Sequence, residues 1–326
     1  MLDGCGREID YLRVSVTDRC NLRCRYCMPE TGVGDLGHAN ILSLEQIARV
    51  VSVAAELGIR KVRLTGGEPL VRKNIGQLIR MISGLDKIKE ISMTTNGALF
   101  TAMADELKEA GLTRVNFSLD SLQEENFNYI TRRGQLQDVI PAITKALQMG
   151  MTPVKINMVV MRTINDREIL DFARLAYVLP LHVRFIEFMP IGDLPFFQEQ
   201  RLMSGDEVKA VIDQKYELSA RSTRQGSGPA KDYTIRGGVG MIGFISPMSQ
   251  HFCSECNRIR MTADGKLRGC LFSKNEVSLK MALQNNASDE KLAELFKQAI
   301  WEKPSRHHLA KGWGADNQRK MYQIGG

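Results

Sequence analysis

The chain has 326 residues, room for one large domain and a smaller one, with 43% hydrophobic and 25% charged residues, as in ordinary globular proteins. Its start, MLDGCGREIDYLR, holds no apolar run, and no uncharged apolar stretch is long enough to span a bilayer, so the sequence points away from secreted and membrane proteins towards a soluble, cytoplasmic one. The formal net charge of +7, with a pI near 9.0, favours an anionic partner, while the scatter of Lys and Arg argues against a polybasic membrane segment.

Short β-branched runs alternate with amphipathic helical patterns. The runs are Leu12–Val16, Lys61–Leu64, Glu90–Thr94, Arg114–Leu119, Val154–Met161 and Val183–Phe188. The first helix is predicted from Ser43, where Ser43 and Gln46 form a capping box and Gly58 ends the apolar repeat. Helices over Asn74–Leu85, Ala102–Ala110, Leu136–Met149 and Asp166–Leu179 follow. Such alternation predicts parallel strands covered by helices, with functional residues at the carboxyl ends of the strands. The segments DRCNLRCRYC, TGGEP, TTNG, SLD and EFMPIG all fall at such ends, and six strand ends converging on one mouth suggest a partial βα barrel. Past Gly205 the texture changes to a polar loop, STRQGSGPAKDY, then short strands, a hairpin and a helix near Ser288–Lys303. The expected division is 4–228 for the barrel and 229–326 for a smaller α+β region.

Seven cysteines in a chain of this kind read as metal ligands or reactive thiols before disulfides. Six form two trios, Cys20/Cys24/Cys27 and Cys253/Cys256/Cys270; Cys5 is read as a bystander. A structural zinc site wants four protein ligands, as do most iron–sulfur clusters. Three thiols in a C-x3-C-x2-C loop therefore suggest a cluster with one iron open to another ligand; the plain alternative is three unrelated buried cysteines. In the second trio, Asp264–Gly265 signals a hairpin turn that returns Cys270 beside Cys256. Spacing alone leaves a zinc site with a fourth ligand such as His251 as an alternative there.

Cys20-x3-Cys24-x2-Cys27, with Tyr26 before the last cysteine, resembles the radical S-adenosylmethionine superfamily motif, and Gly66–Pro69 (GGEP) resembles the segment that binds the methionine amino group. The resemblance implies a (β/α)6 partial TIM-like barrel, a [4Fe–4S] cluster and S-adenosylmethionine. The first motif, the second trio, CNRIR after Cys253 and the terminal Gly-Gly together resemble the GTP 3′,8-cyclase family over essentially the whole chain. That family implies a second [4Fe–4S] cluster whose open iron binds guanine. It also implies removal of hydrogen from C3′ of GTP by a 5′-deoxyadenosyl radical, and attack of C3′ on C8 to give (8S)-3′,8-cyclo-7,8-dihydroguanosine 5′-triphosphate for molybdenum cofactor biosynthesis.

The resemblance implies GTP contacts at Arg13, Lys61, Arg63, Thr94, Lys155, Arg184, Arg258, Ile259 and Arg260, and S-adenosylmethionine contacts at Tyr26, Gly67, Ser118 and Met189. Charged strand residues facing inward are costly without a ligand, which agrees with phosphate binding by the arginines. Gly325 and Gly326, with Arg13, are implied to assist catalysis. The implied partners are an electron donor and the next pathway enzyme, cyclic pyranopterin monophosphate synthase, with the chain a monomer or homodimer. A radical enzyme acting on a peptide or tRNA is the other enzymatic reading, but aromatics at 6% give no nucleic-acid platform. A redox-sensing iron–sulfur or zinc protein is the non-enzymatic one. Gly238–Gly243 (GVGMIG) mimics a dinucleotide fingerprint, yet no helix is predicted after it.

Overall fold

The computed structural model describes residues 1–33, 40–191, 194–221, 229–307 and 319–325. In chain order the main elements are β1 (Tyr11–Ser15), α1 (Leu44–Glu56), β2 (Lys61–Thr65), α2 (Ile75–Ser83), β3 (Glu90–Thr95), α3 (Phe100–Glu109) and β4 (Arg114–Ser118). There follow α4 (Glu124–Thr131), α5 (Leu136–Gln148), β5 (Val154–Val160), α6 (Ile169–Val178), β6 (Leu181–Glu187) and α7 (Gly205–Asp213). The C-terminal part supplies β7 (Leu218–Ala220), β8 (Lys231–Ile235), β9 (Met241–Ile245), β10 (Arg258–Met261), β11 (Lys266–Arg268), β12 (Val277–Ser278), α8 (Lys280–Gln284), α9 (Asp289–Trp301) and the single turn α10 (Met321–Ile324).

All the strands belong to one sheet, in the order β12-β11-β10-β1-β2-β3-β4-β5-β6-β9-β8-β7. The six predicted strands stand side by side in chain order and pair in parallel, as the βα alternation requires. The sheet is open, with no pairing between its end strands, so the mixed α/β fold is as expected while a barrel is not closed by hydrogen bonds. The C-terminal segments extend this sheet at both edges: β9 pairs in parallel with β6, and β10 in parallel with β1.

Strand alternation sets the two faces. Leu12, Val14, Val62, Leu64, Val115, Phe117, Val154 and Ile156 are all fully buried in the core with Val50, Leu78, Phe100 and Phe172 from the helices. Their strand neighbours Arg13, Arg63, Asn116 and Lys155 face the opposite side, where a cavity lies. The capping box of α1 forms as predicted, with Gln46 N donating to Ser43 Oγ and Ser43 N to Gln46 Oε1. β9 begins at Met241, within Gly238–Gly243, and a loop rather than a helix follows it, which is not the strand–turn–helix context of a dinucleotide fingerprint. Among the described residues no helix is long and apolar enough to cross a membrane.

Candidate active site

The cavity on the inner face of the sheet has a volume of about 520 Å³. All six cysteines of the two trios line it. Strand direction places the trios at opposite ends. Cys20 lies just past Ser15, the carboxyl end of β1, whereas Cys256 lies just before Arg258, the register partner of Tyr11 at the amino end of β1. Between them run the five residues of β1, roughly 13 Å of strand at the usual rise. The expectation that functional residues gather at carboxyl strand ends therefore holds for the first trio and fails for the second. The reason is that β10 runs parallel to β1, so the loop before it belongs to the other end of the sheet.

The first loop is held from below by a helix that the sequence reading did not single out. Arg23 N donates to Thr131 O at 3.0 Å and Arg25 N to Ile130 O at 2.9 Å, both carbonyls at the C-terminus of α4. Arg132 Nη1 adds bonds to Arg23 O and Met28 O. On its other side the loop meets the GGEP turn, where Gly67 N donates to Thr17 O and Glu68 N to Arg19 O, both at 2.8 Å. A Cβ on Gly67 would stand 2.3 Å from Arg19 O, so the close approach that glycine permits here is to the chain itself. Gly67 nonetheless lines the cavity.

Burial raises the three thiols of this loop, Cys20 to about 11 and Cys27 to about 12, and for Cys24 the neighbouring Cys27 and Cys20 add to it. The three thiols of this short loop thus share one buried stretch of the cavity wall, where binding a metal would favour their thiolate forms. Among the described residues no three His, Cys, Asp or Glu close on a single ion, whereas in a cube each thiolate holds a different iron. Three convergent thiols on a cavity wall fit a [4Fe–4S] cluster with one iron left to a small molecule.

Beside this trio, Tyr26 Oη donates to Asp120 Oδ2 at 2.6 Å, and Val159 N donates to Asp120 Oδ1 at 2.8 Å. Burial lifts Asp120 to about 6 despite these bonds. It likewise lifts Glu68 to about 7, although Leu70 N, Asn96 N and Thr95 Oγ1 all donate to that carboxyl. Tyr26, Gly67, Ser118 and Met189 all line the cavity. Glu68 belongs to the GGEP segment and Asp120 to the SLD segment that the sequence marks at strand ends, although neither residue is named there individually as a contact.

At the other end the wall is cationic. Arg13, Arg63, Arg114, Lys155, Arg184, Arg258 and Arg260 line it, with Glu90 and Asp232 as partial counter-charges. Burial pushes Lys155 down to about 6, and Arg184, Arg114 and Arg63 push the same way. Arg260 falls to about 10 through burial and Arg258. Among the described residues, several buried polar atoms on this wall have no hydrogen-bond partner: Tyr11 Oη, Thr94 Oγ1, Asn116 Nδ2, Asn157 Oδ1 and Arg184 Nε. Such atoms cost stability unless a polar ligand meets them. Arg114, Tyr11, Asn116 and Asn157 were not predicted from the sequence, although alternation along β4 and β5 marks the last two.

Two predicted substrate contacts are not brought to the cavity wall. Ile259 lies between Arg258 and Arg260, so alternation turns its side chain into the core, where it is fully buried. Lys61 shares the inward face with Arg63 but sits at the first position of β2 and pairs with Asp10 at 3.0 Å. The remaining contacts, Arg13, Arg63, Thr94, Lys155, Arg184, Arg258 and Arg260, are gathered in the one cavity.

The second trio has its own surroundings. The buried Lys303 Nζ approaches Cys256 Sγ at 3.4 Å and donates to Arg258 O and Gly269 O. Burial would raise the Cys256 thiol, but Arg258 and Lys303 outweigh it and bring the group down to about 6. Arg7 ties the Cys253 carbonyl to Pro304 O and is held by Asp3. His251, the alternative zinc ligand, has its Nδ1 at 3.0 Å from Pro247 O and its ring edge-on to His307. Neither Arg7 nor Lys303 carries a spacing signal in the sequence. Gly325 lies beside Thr65, and Arg260 Nη1 donates to its carbonyl at 2.5 Å. Gly326 lies outside the described residues.

A family profile described as the Radical SAM superfamily matches residues 14–176, and one described as Molybdenum Cofactor Synthesis C matches residues 181–309. The chain is 61% identical over 326 residues to GTP 3′,8-cyclase of Syntrophomonas wolfei subsp. wolfei, with 100% of each chain covered. It is 52% identical to the protein of that name from Desulforamulus reducens and 51% to that from Moorella thermoacetica, again with 100% of each covered. Among solved structures, Streptococcus suis SuiB bound to precursor peptide SuiA superposes with a TM-score of 0.61 at 14% identity, covering 91% of this chain and 66% of that one. At that identity the likeness speaks for the fold alone.

Proposed function

Because the chain belongs to the GTP 3′,8-cyclase family of radical S-adenosylmethionine enzymes, we propose that it joins C3′ to C8 of GTP, giving (8S)-3′,8-cyclo-7,8-dihydroguanosine 5′-triphosphate in molybdenum cofactor biosynthesis. The observation that carries this reading is a single cavity with thiol trios at its two ends and a row of buried cations between them. The superfamily implies a [4Fe–4S] cluster and S-adenosylmethionine, which Cys20, Cys24 and Cys27 would hold on the side of Tyr26, Gly67, Ser118 and Met189. A second [4Fe–4S] cluster on Cys253, Cys256 and Cys270 would leave an iron for the guanine. When bound, the clusters and S-adenosylmethionine supply the one-electron chemistry that removes hydrogen from C3′.

The chain's own residues do the rest. Arg13, Arg63, Lys155 and Arg184 bind the triphosphate, with Thr94, Asn116 and Asn157 offering partners to its polar atoms. Arg258 and Arg260 hold the nucleotide next to the second trio. In this reading the ribose lies between the two ends, with its C3′ towards the S-adenosylmethionine side. The same proposal has the sheet curl as a partial (β/α)6 barrel, with 4–228 carrying the S-adenosylmethionine half and 229–326 the guanine half. Gly325 and Gly326 assist from the tail. An external one-electron donor and transfer of product to cyclic pyranopterin monophosphate synthase belong to the same proposal.

The test is product analysis by mass spectrometry after anaerobic incubation with GTP, S-adenosylmethionine and dithionite. The reconstituted chain should hold about eight irons, four per cube. Cys253→Ala should still release 5′-deoxyadenosine while losing the cyclised nucleotide. A content of one zinc and about four irons would remove the guanine-anchoring role from the second trio.

A further inference from the structure

Residues 319–325 reach into the cavity and are held at both ends. Inside, Met321 and Tyr322 line the cavity and Ile324 is 1% exposed. The Tyr322 main chain bonds the Cys27 sulfur, and Gly325 O accepts from Arg260. The segment thus touches a ligand of the first trio and a cation between the two trios. At its outer end stands Arg319. Its Nη1 and Nη2 meet Asp264 Oδ1 and Oδ2 at 3.0 and 2.9 Å, while its Nε and Nη2 meet Glu276 Oε1 and Oε2 at 2.6 and 2.8 Å.

This receptor is a built one. Asp264 belongs to the tight turn of the β10–β11 hairpin, and Glu276 directly precedes β12. Glu276 is also the partner of Arg268, which is 2% exposed, and of Lys266. Asp264 therefore sits on the turn of the hairpin whose β10 carries Arg258 and Arg260, and Glu276 stands beside that turn at the start of β12, the strand paired with β11. A planar guanidinium doubly bonded to two carboxylates fixes direction as well as distance, which a single surface pair does not. A four-residue turn such as α10 has too few hydrogen bonds to hold itself in place. The anchor must come from elsewhere, and Arg319 is two residues away.

We propose that Arg319 is a positioning residue for the cyclisation: clamped on Asp264 and Glu276, it seats residues 321–325 between the two thiol trios in register with Arg260. The catalytic consequence rests on the function proposed above; the anchoring does not. With the tail unseated, hydrogen removal by the S-adenosylmethionine-derived radical and nucleotide closure would fall out of step.

The experiment uses the anaerobically reconstituted full chain, with hydrogen exchange read by mass spectrometry and 5′-deoxyadenosine counted per cyclised product. Arg319→Met should speed exchange of the 321–325 amides by about tenfold with the 258–268 hairpin unchanged, because local opening reports local anchoring. Asp264→Asn, which keeps the turn chemistry, should give a smaller effect of the same kind, and Arg319→Lys should restore part of the loss. The ratio of 5′-deoxyadenosine to product should rise in Arg319→Met. Unchanged tail exchange in Arg319→Met, or loosening of the hairpin in step with the tail, overturns the anchoring. A loosened tail with an unchanged ratio overturns the positioning role. Absence of cyclised product from the parent chain would instead sink the functional reading.

Discussion

Arg13 and Arg260 are register partners across the parallel pair β1–β10, and Arg13 is also the register partner of Arg63 on β2. Three guanidinium groups thus stand in one row on the cavity wall. Like charges side by side in a sheet repel, and burial sharpens the repulsion. In the ligand-free chain this lowers Arg13 well below the usual guanidinium range, through burial first and Arg260 next. Such a row makes sense as the receptor for a polyanion. Under the proposed function, a triphosphate would offset this cost in stability.

Arg13→Met is therefore expected to weaken GTP binding more than tenfold, the usual loss for a charge-assisted fork. It should leave the thermal midpoint of the ligand-free protein unchanged or higher. Calorimetric titration with GTP and a melt on the same sample check both. A lower midpoint with unchanged GTP affinity would show that Arg13 is a brace and not a receptor.

Lys155 makes the pH dependence testable. Its folded-state value of about 6 lies below the ordinary 10.5, so between these values the unfolded chain binds the extra proton. Stability of the ligand-free protein should accordingly rise with pH across that window and level off above it. Lys155→Met should flatten this slope. A triphosphate beside Lys155 favours the ammonium form, so GTP binding near pH 8 should take up a proton. Titrations in buffers of different ionisation enthalpy measure that uptake, and its absence in the parent chain would place the phosphates elsewhere.

Tyr26→Phe removes the 2.6 Å donor from Asp120 and leaves the buried carboxyl with the Val159 amide. The expected cost is about 1–2 kcal/mol in the cluster-free protein, by denaturant titration. S-adenosylmethionine affinity should fall with it, because the same pair shapes that end of the cavity. Adding Asp120→Asn to the Tyr26→Phe variant should restore much of the stability. If it does not, the two residues act separately.

Much of this was legible in advance. The family resemblance named Arg13, Arg63, Lys155 and Arg184, all of which line the cavity, and the cysteine spacings marked both trios. Strand alternation, applied residue by residue, would have turned Ile259 away from the cavity and into the core. Lys61 shares the face of Arg63, but its height on the strand sets it against Asp10. Lys303, Arg7 and Arg319 act from positions far along the chain from the groups they touch, and no local pattern announces them.

The sequence by itself determined the strand–helix order, the two faces of each strand and the two thiol trios, because these follow from local periodicity and short spacings. Only the tertiary structure decided that β10 pairs in parallel with β1. That one pairing sends the second trio to the opposite end of the cavity from the first, sets Arg260 beside Arg13, and gives the tail a place between them. Its cause is long-range: strand pairing across some 250 residues of chain is chosen by packing and hydrogen bonding in the whole sheet, which no window of sequence contains.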